Sequence, residues 1–251
     1  MTTSCLFRVL QPEDGQRVIG YKLDPADQSY LYIFSSSGSV SKWDWSSGKQ
    51  IASWNGNSKV LSVDSAFCET GSDPSPMSYS VRELGDGKRD VAIVPLDDKE
   101  SSENVVLKSH SRISDVKVAR QGRIVVAYGG SHILVGTVNA SRADDLEPMQ
   151  YTWREVNLPA SITCLDIREN EISHRAPAGK DSENPGPVDL VVGQADGSIL
   201  VYHDVVNVFL ENKEARGVGP RRLHWHRGIV NAVRWSKDGM ALKSHHHKVV
   251  C

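Results

Sequence analysis

The sequence predicts an all-β chain, an incomplete β-propeller of about four four-stranded repeats plus strands of two more. Short apolar runs of strand length recur along the 251 residues, separated by Asp-Gly, Gly-rich and Ser-rich turns. In the clearest of them, Leu190–Gly193 and Ile199–Tyr202 flank Gln194-Ala195-Asp196-Gly197-Ser198. That is a hairpin signal, because such a turn needs a residue that tolerates positive φ. Aligning the expected first strands at Val18, Val60, Ile113, Ile162 and Val230 gives spacings of 42, 53, 49 and 68 residues. The excess over about 40–45 falls in polar stretches, where insertions into a repeat architecture belong.

Cys5–Leu10 reads as a strand closed by Gln11-Pro12-Glu13-Asp14-Gly15. The first repeat, about 18–56, is expected as Val18–Leu23, Tyr30–Phe34, Ser39–Trp45 and Gln50–Trp54, with a turn at Ser35–Gly38. Its third strand ends on Trp43-Asp44, the dipeptide that marks WD repeats. The second, 59–109, runs through Lys59–Phe67, a loop at Glu69–Pro76, then Tyr79–Leu84, Asp90–Leu96 and Val105–Lys108. The third, 111–159, follows His110 with Ile113–Ala119, Ile124–Tyr128, His132–Val138 and Trp153–Leu158, and a polar excursion at Asn139–Gln150. The fourth, 161–226, has Ile162–Ile167, a polar loop Arg168–Pro187, the hairpin, a turn or two of helix within Val205–Ala215, and an outer strand Arg222–Trp225. The stretch 228–242 holds Asn231–Trp235, expected as an inner strand lacking the other three. Residues 1–251 are thus expected as a single partial propeller. A β-sandwich shares the strand spacing but has no need of Trp-Asp, Asp-Gly and pre-strand His at corresponding places.

In such repeats a pre-strand His, a turn Asp, a Ser or Thr and a Trp form a buried hydrogen-bonded chain, stabilising when every member is satisfied. Here the sets are degenerate: Trp43 has no turn Asp, and Asp196 is followed by Tyr202 where Trp is expected. Trp43, Asp44, His110, Asp196 and His226 are therefore read as structural repeat residues. His245-His246-His247 has no Cys or Asp at ligand spacing and supports incidental metal affinity at most. No Gly-x-Ser-x-Gly, P-loop, HExxH or CxxC pattern occurs, so no catalytic residue, cofactor, metal site or small-molecule substrate is expected.

The composition, 39% hydrophobic and 24% charged, is that of a globular chain. Cys5, Cys68, Cys164 and Cys251 lie far apart, which suits a reducing compartment. There is no signal-peptide pattern and no apolar run near the roughly 20 residues that span a bilayer, so a soluble intracellular protein without membrane contact is expected. The net charge is −2, but residues 207–251 carry nine Lys/Arg against three Asp/Glu, or +6, leaving −8 for the remainder. Arg216, Arg221, Arg222, Arg227, Arg234 and Lys237 are dense enough there to contact a phosphate backbone.

The run Leu223-His224-Trp225-His226, with Val230, Val233 and Trp235-Ser236-Lys237-Asp238-Gly239, resembles one WD-repeat family. This is the tandem-propeller subunit of the UtpA (t-UTP) complex of the small-subunit processome; Lys42-Trp43-Asp44-Trp45 resembles that family's second blade. The resemblance covers about residues 5–242, with a specific part of about 20 residues. It implies a nucleolar, non-catalytic scaffold that joins other UtpA proteins, assembles on pre-rRNA and its snoRNPs for 18S rRNA maturation, and supports RNA polymerase I transcription. After Asp238-Gly239 the family continues with Leu-Leu-Ser-Gly-Gly, whereas this chain reads Met240-Ala241-Leu242-Lys243 and then the His tract. The family also has most of a blade before the counterpart of Cys5–Leu10. The chain is therefore expected to be a piece of a longer two-propeller protein. The alternative is a WD-repeat adaptor in an unrelated complex, such as a ubiquitin ligase or a trafficking coat; a propeller enzyme would need clustered carboxylates, His or metal at the central channel, and the expected inner-strand positions here are mostly apolar or small.

Overall fold

A computed structural model describes residues 15–24, 27–56, 58–70, 73–96, 104–110, 112–138, 150–169, 187–209, 220–224, 226–236 and 241–246. These residues are almost entirely β, in four antiparallel four-stranded meanders of the kind that make propeller blades. The first sheet joins β1 (Val18–Leu23), β2 (Tyr30–Ser35), β3 (Val40–Asp44) and β4 (Lys49–Trp54). The second joins β5 (Lys59–Thr70), β6 (Asp73–Glu83), β7 (Arg89–Pro95) and β8 (Asn104–His110). The third joins β9 (Asp115–Ala119), β10 (Ile124–Gly129), β11 (His132–Val138) and β12 (Tyr151–Asn157). The fourth joins β13 (Ile162–Glu169), β14 (Val188–Gln194), β15 (Ser198–Tyr202) and, after the short helix α1 (Val205–Phe209), β16 (Arg221–His224). β17 (Val230–Trp235) pairs with β18 (Leu242–His246). Contacts divide the chain into two compact units, residues 1–111 and 112–251.

The repeat is visible in the backbone. Four of the first strands carry a register shift at the aligned position, between Val18/Gly20, Val60/Ser62, Ile162/Cys164 and Val230/Ala232. A bulge at one place in each of these four strands bends the strand and re-aims its side chains.

Burial follows from apolar runs placed between sheets. Every residue of β14 and β15 is buried. Leu190 and Val192 of β14 face a core with Ile133 and Val135 of the third sheet, while Val191 faces one with Val230 and Val233 of β17. A strand covered on both faces reads as a continuous apolar run rather than an alternating one. Each fully buried Val, Leu or Ile contributes about 1.5–3 kcal/mol. Gly193 allows the approach of β17, since a Cβ there would lie 2.5 Å from Cys164 Sγ and 2.8 Å from Val230 Cγ1. In the unit of residues 1–111, Tyr32, Phe34 and Val40 of the first sheet form a core with Leu96, which follows β7.

Two expectations are corrected. Glu69–Pro76 is not a loop: β5 reaches Thr70 and β6 starts at Asp73, with Glu69 opposite Pro74. Proline is tolerated because the β6–β7 ladder starts only at Met77, and Pro76 still accepts from Leu96 N at 2.8 Å through its carbonyl, a bond that needs no donor from the proline. The strand at 230–235 does not stand without its blade partners, because Leu242–His246 forms β18 beside it. The His tract accordingly begins on a strand, with His245 opposite Ala232. The helix reaches Phe209, and residues 210–219 lie outside the described set, as do Cys5–Leu10, 139–149 and 170–186.

Candidate nucleic-acid interface

The hairpin that signals the fold also anchors the basic strand. Gly197 holds φ at +87°, and a Cβ on it would sit 2.2 Å from the carbonyl oxygen of His226, so turn and following segment are in direct contact. Asp196 Oδ1 accepts from Ser198 N at 2.9 Å and from Ser198 Oγ at 2.5 Å. These bonds hold the Asp196 carboxyl below its ordinary range. Ser198 Oγ also reaches Gln194 Oε1 at 2.8 Å, and Gln194 Nε2 donates to Ala160 O at 3.0 Å. Gln194 and Ser198 are fully buried. In this repeat the polar chain thus runs Gln194–Ser198–Asp196. Gln194 escaped the sequence reading; its signal was an amide at the last residue before the Asp-Gly turn, where a buried side chain needs both a donor and an acceptor.

Trp43 is buried on β3 and its Nε1 donates to Ser41 Oγ at 2.8 Å. With no turn Asp in that repeat, the Oγ atoms of Ser37 and Ser39 each lie 2.6 Å from that of Ser35. Asp44 ends β3 and accepts from Ser46 N at 2.9 Å and from Ser47 Oγ at 2.6 Å, bonds that keep its carboxyl well below the usual carboxylate range. His110 closes β8, and its side chain lies outside the described set. His226 Nε2 and Ser244 Oγ of β18 lie 2.8 Å apart. Tyr202, standing where Trp is expected, is buried with its ring 5.0 Å from that of Phe209 on α1.

The arginine candidates divide between two sheets. Arg221 and Arg222 lie on β16, opposite Val201 and Leu200, and both are exposed, as is His224. Consecutive strand residues point to opposite faces, so the two guanidinium groups flank the strand instead of sharing one face. Arg222 Nη2 meets Asp196 Oδ2 at 3.0 Å; both groups are solvated, so the pair contributes about 1 kcal/mol or less and its donors can be exchanged for phosphate oxygens. Arg227 is exposed in the turn before β17. Arg234 lies on β17, 3.6 Å from Asp166 Oδ1, while Asp166 Oδ2 accepts from Trp235 N at 2.8 Å. Arg216 and Lys237 lie outside the described residues. Lys243 was not among the candidates, yet β18 sets it directly opposite Arg234. Only the strand pairing reveals that juxtaposition.

Other polar clusters tie strands together. Arg82 and Asp90 form a buried bidentate pair between β6 and β7, and Glu155 Oε1 lies 2.5 Å from Nδ1 of His132, whose Nε2 meets Arg112. Among the described residues no three His, Cys, Asp or Glu side chains gather as metal ligands, and no helix is long and apolar enough to cross a membrane. No family model matches this chain, and a comparison with curated proteins finds no match.

Proposed function

We propose that this chain is a non-catalytic WD-type scaffold of ribosome biogenesis, with four full blades and strands of two more, in which the β16 edge contacts RNA phosphates. The observation that carries the RNA contact is the edge strand β16: three of its four residues, Arg221, Arg222 and His224, are exposed and cationic or protonatable, with Arg227 just beyond. An arginine fork is suited to phosphate oxygens, and an edge strand presents it without a covering neighbour. The resemblance of Leu223–Gly239 to the UtpA subunit supports the choice of pre-rRNA, with other UtpA proteins as partners and the nucleolus as location.

The test is binding of the 5′ external transcribed spacer of pre-rRNA at increasing salt. Affinity should fall as salt rises, and the log–log slope should shrink by about 0.7 for each single-strand phosphate contact removed. Arg221→Ala/Arg222→Ala should therefore lower the slope by about 1.4. A slope untouched by that double substitution would remove β16 as the contact. In cells, a tagged chain should recover pre-rRNA with UtpA proteins; recovery of a ubiquitin ligase or a coat complex in their place would favour the alternative scaffold.

A further inference from the structure

We propose that the cleft between the first two sheets binds a small uncharged carbonyl compound, a short aliphatic body carrying one hydrogen-bond acceptor. The inference is independent of the RNA reading and uses different residues. Both sheets belong to the unit of residues 1–111. The cleft holds a cavity of about 60 Å³, lined by Phe34, Val40 and Trp54 from the first sheet and by Val63, Ser80 and Arg82 from the second. Two glycines shape its margin. A Cβ on Gly56 would lie 2.3 Å from Gly38 O, and one on Gly38, whose φ is +85°, would lie 2.9 Å from Ser58 O. Only the absence of side chains lets these segments meet there.

The polar groups of the cavity are unusual for a place between two sheets. Ser78, Ser80 and Arg82 alternate along β6, so all three stand on one face of the strand, and all three are buried. Buried polar groups need partners. Arg82 has Asp90, with Nε and Nη2 donating to the carboxylate at 2.9 and 2.8 Å. Ser78 Oγ donates to Val94 O over 3.4 Å, a long bond. On the first sheet, the Trp54 ring rests against Tyr32, with centroids 6.3 Å apart and planes at 39°. Trp54 Nε1 is buried and, among the described residues, donates to no acceptor. An indole N–H is a donor only, and a buried donor left unmet is costly. A residue that walls a cavity and carries such a group is satisfied by what the cavity holds.

Charge and size define the occupant. Arg82 is the one charged residue among the described residues that line the cavity, and Asp90 matches its charge. The site therefore has no surplus charge to offset the lost hydration of a buried anion. An uncharged acceptor, such as a carbonyl oxygen, meets the Trp54 donor without that penalty. A water takes about 10–15 Å³ of such space, and a cavity of about 150 Å³ takes benzene. At about 60 Å³ the cleft admits a molecule of roughly five non-hydrogen atoms and is too small for an aromatic ring. Water would satisfy Trp54 but gains nothing from Phe34, Val40 and Leu96, which form an apolar core here. An aliphatic body gains from those walls, and apolar walls with a few placed donors are the usual make-up of a ligand pocket.

The experiment titrates 2-butanone into the full 251-residue chain and follows the indole N–H resonances of its six tryptophans by NMR. The Trp54 signal is the one that Trp54→Phe removes. In the unaltered chain 2-butanone should shift that signal saturably. Propionate, with as many non-hydrogen atoms and a negative charge, should leave it in place at equal concentration. Trp54→Phe keeps an aromatic ring and deletes the donor, so affinity for 2-butanone, read from the ligand's own signals, should fall about 2- to 10-fold. Ser80→Val narrows the cavity from the second sheet and should weaken binding with the indole still present. Both variants should keep the circular dichroism of the parent. A Trp54 signal indifferent to 2-butanone, which would mean a cavity holding water only, overturns the proposal. So does an equal response to propionate, or undiminished binding by either folded variant. Neither substitution should alter the salt dependence of RNA binding, so the two readings fail separately.

Discussion

At the scale of single residues, the repeat depends on a few side chains with no freedom to change. Trp43 is 8% exposed and its indole N–H is satisfied by Ser41, so Trp43→Ala removes both packing and a bond. The expected loss is roughly 3–5 kcal/mol, read from the urea midpoint at unchanged slope. Gly197→Ala tests the hairpin turn. The added Cβ would be driven into His226 O, in a backbone conformation that side chains disfavour. Thermal unfolding should show a loss of about 1–3 kcal/mol or more. A Gly197→Ala protein as stable as the parent would mean that the turn and the His226 segment separate freely.

At the scale of elements, pairing decides which charges are tolerated. Arg82 on β6 faces Asp90 on β7, with Nε to Oδ1 at 2.9 Å and Nη2 to Oδ2 at 2.8 Å, both side chains under 9% exposed. Removing the carboxylate alone leaves a buried guanidinium without its counter-charge, so Asp90→Ala should cost about 3–5 kcal/mol. Replacing both, as Arg82→Met/Asp90→Leu, should cost much less, since the desolvation of both ions is removed together. Equal losses for the single and the double substitution, measured by urea unfolding, would show that the pair is worth no more than its packing. The strand order was largely legible from alternation and turns: β1 at Val18–Leu23 and β11 at His132–Val138 match the expected strands residue for residue. β18 was not legible. Leu242–His246 has a single large apolar residue followed by Lys, Ser and His, and becomes a strand by pairing with β17. The Pro-bearing start of β6 escaped for a related reason, because composition there signals a loop while pairing with β5 alone permits a strand.

At the scale of the whole molecule, packing sets how stability responds to alkali. Burial pushes the Tyr202 hydroxyl up to about 12, and burial followed by the Asp115 carboxylate pushes Tyr128 up as well. A phenol whose pKa is raised on folding keeps its proton where the unfolded chain has lost it. Stability is therefore fully present below the ordinary value of about 10 and declines as pH rises from there toward 12. The unfolding free energy should fall over that window, and Tyr202→Phe should make the fall shallower. A slope unchanged by Tyr202→Phe would mean that this hydroxyl ionises equally in both states.

The sequence by itself determined the all-β class, the four-strand repeats and the turn residues. Those signals are local: alternation over a strand and Asp-Gly at a turn are written within a few residues. It also singled out Trp43, Asp44 and Asp196 as expected repeat residues and Arg221 and Arg222 as candidate phosphate contacts. Tertiary structure alone decided that Gln194 carries the buried polar chain, that Arg234 faces Lys243, and that Val18 is open where Val60, Ile162 and Val230 are closed. Each of those facts depends on a partner strand or sheet distant in sequence, and burial is a property of the neighbour as much as of the residue.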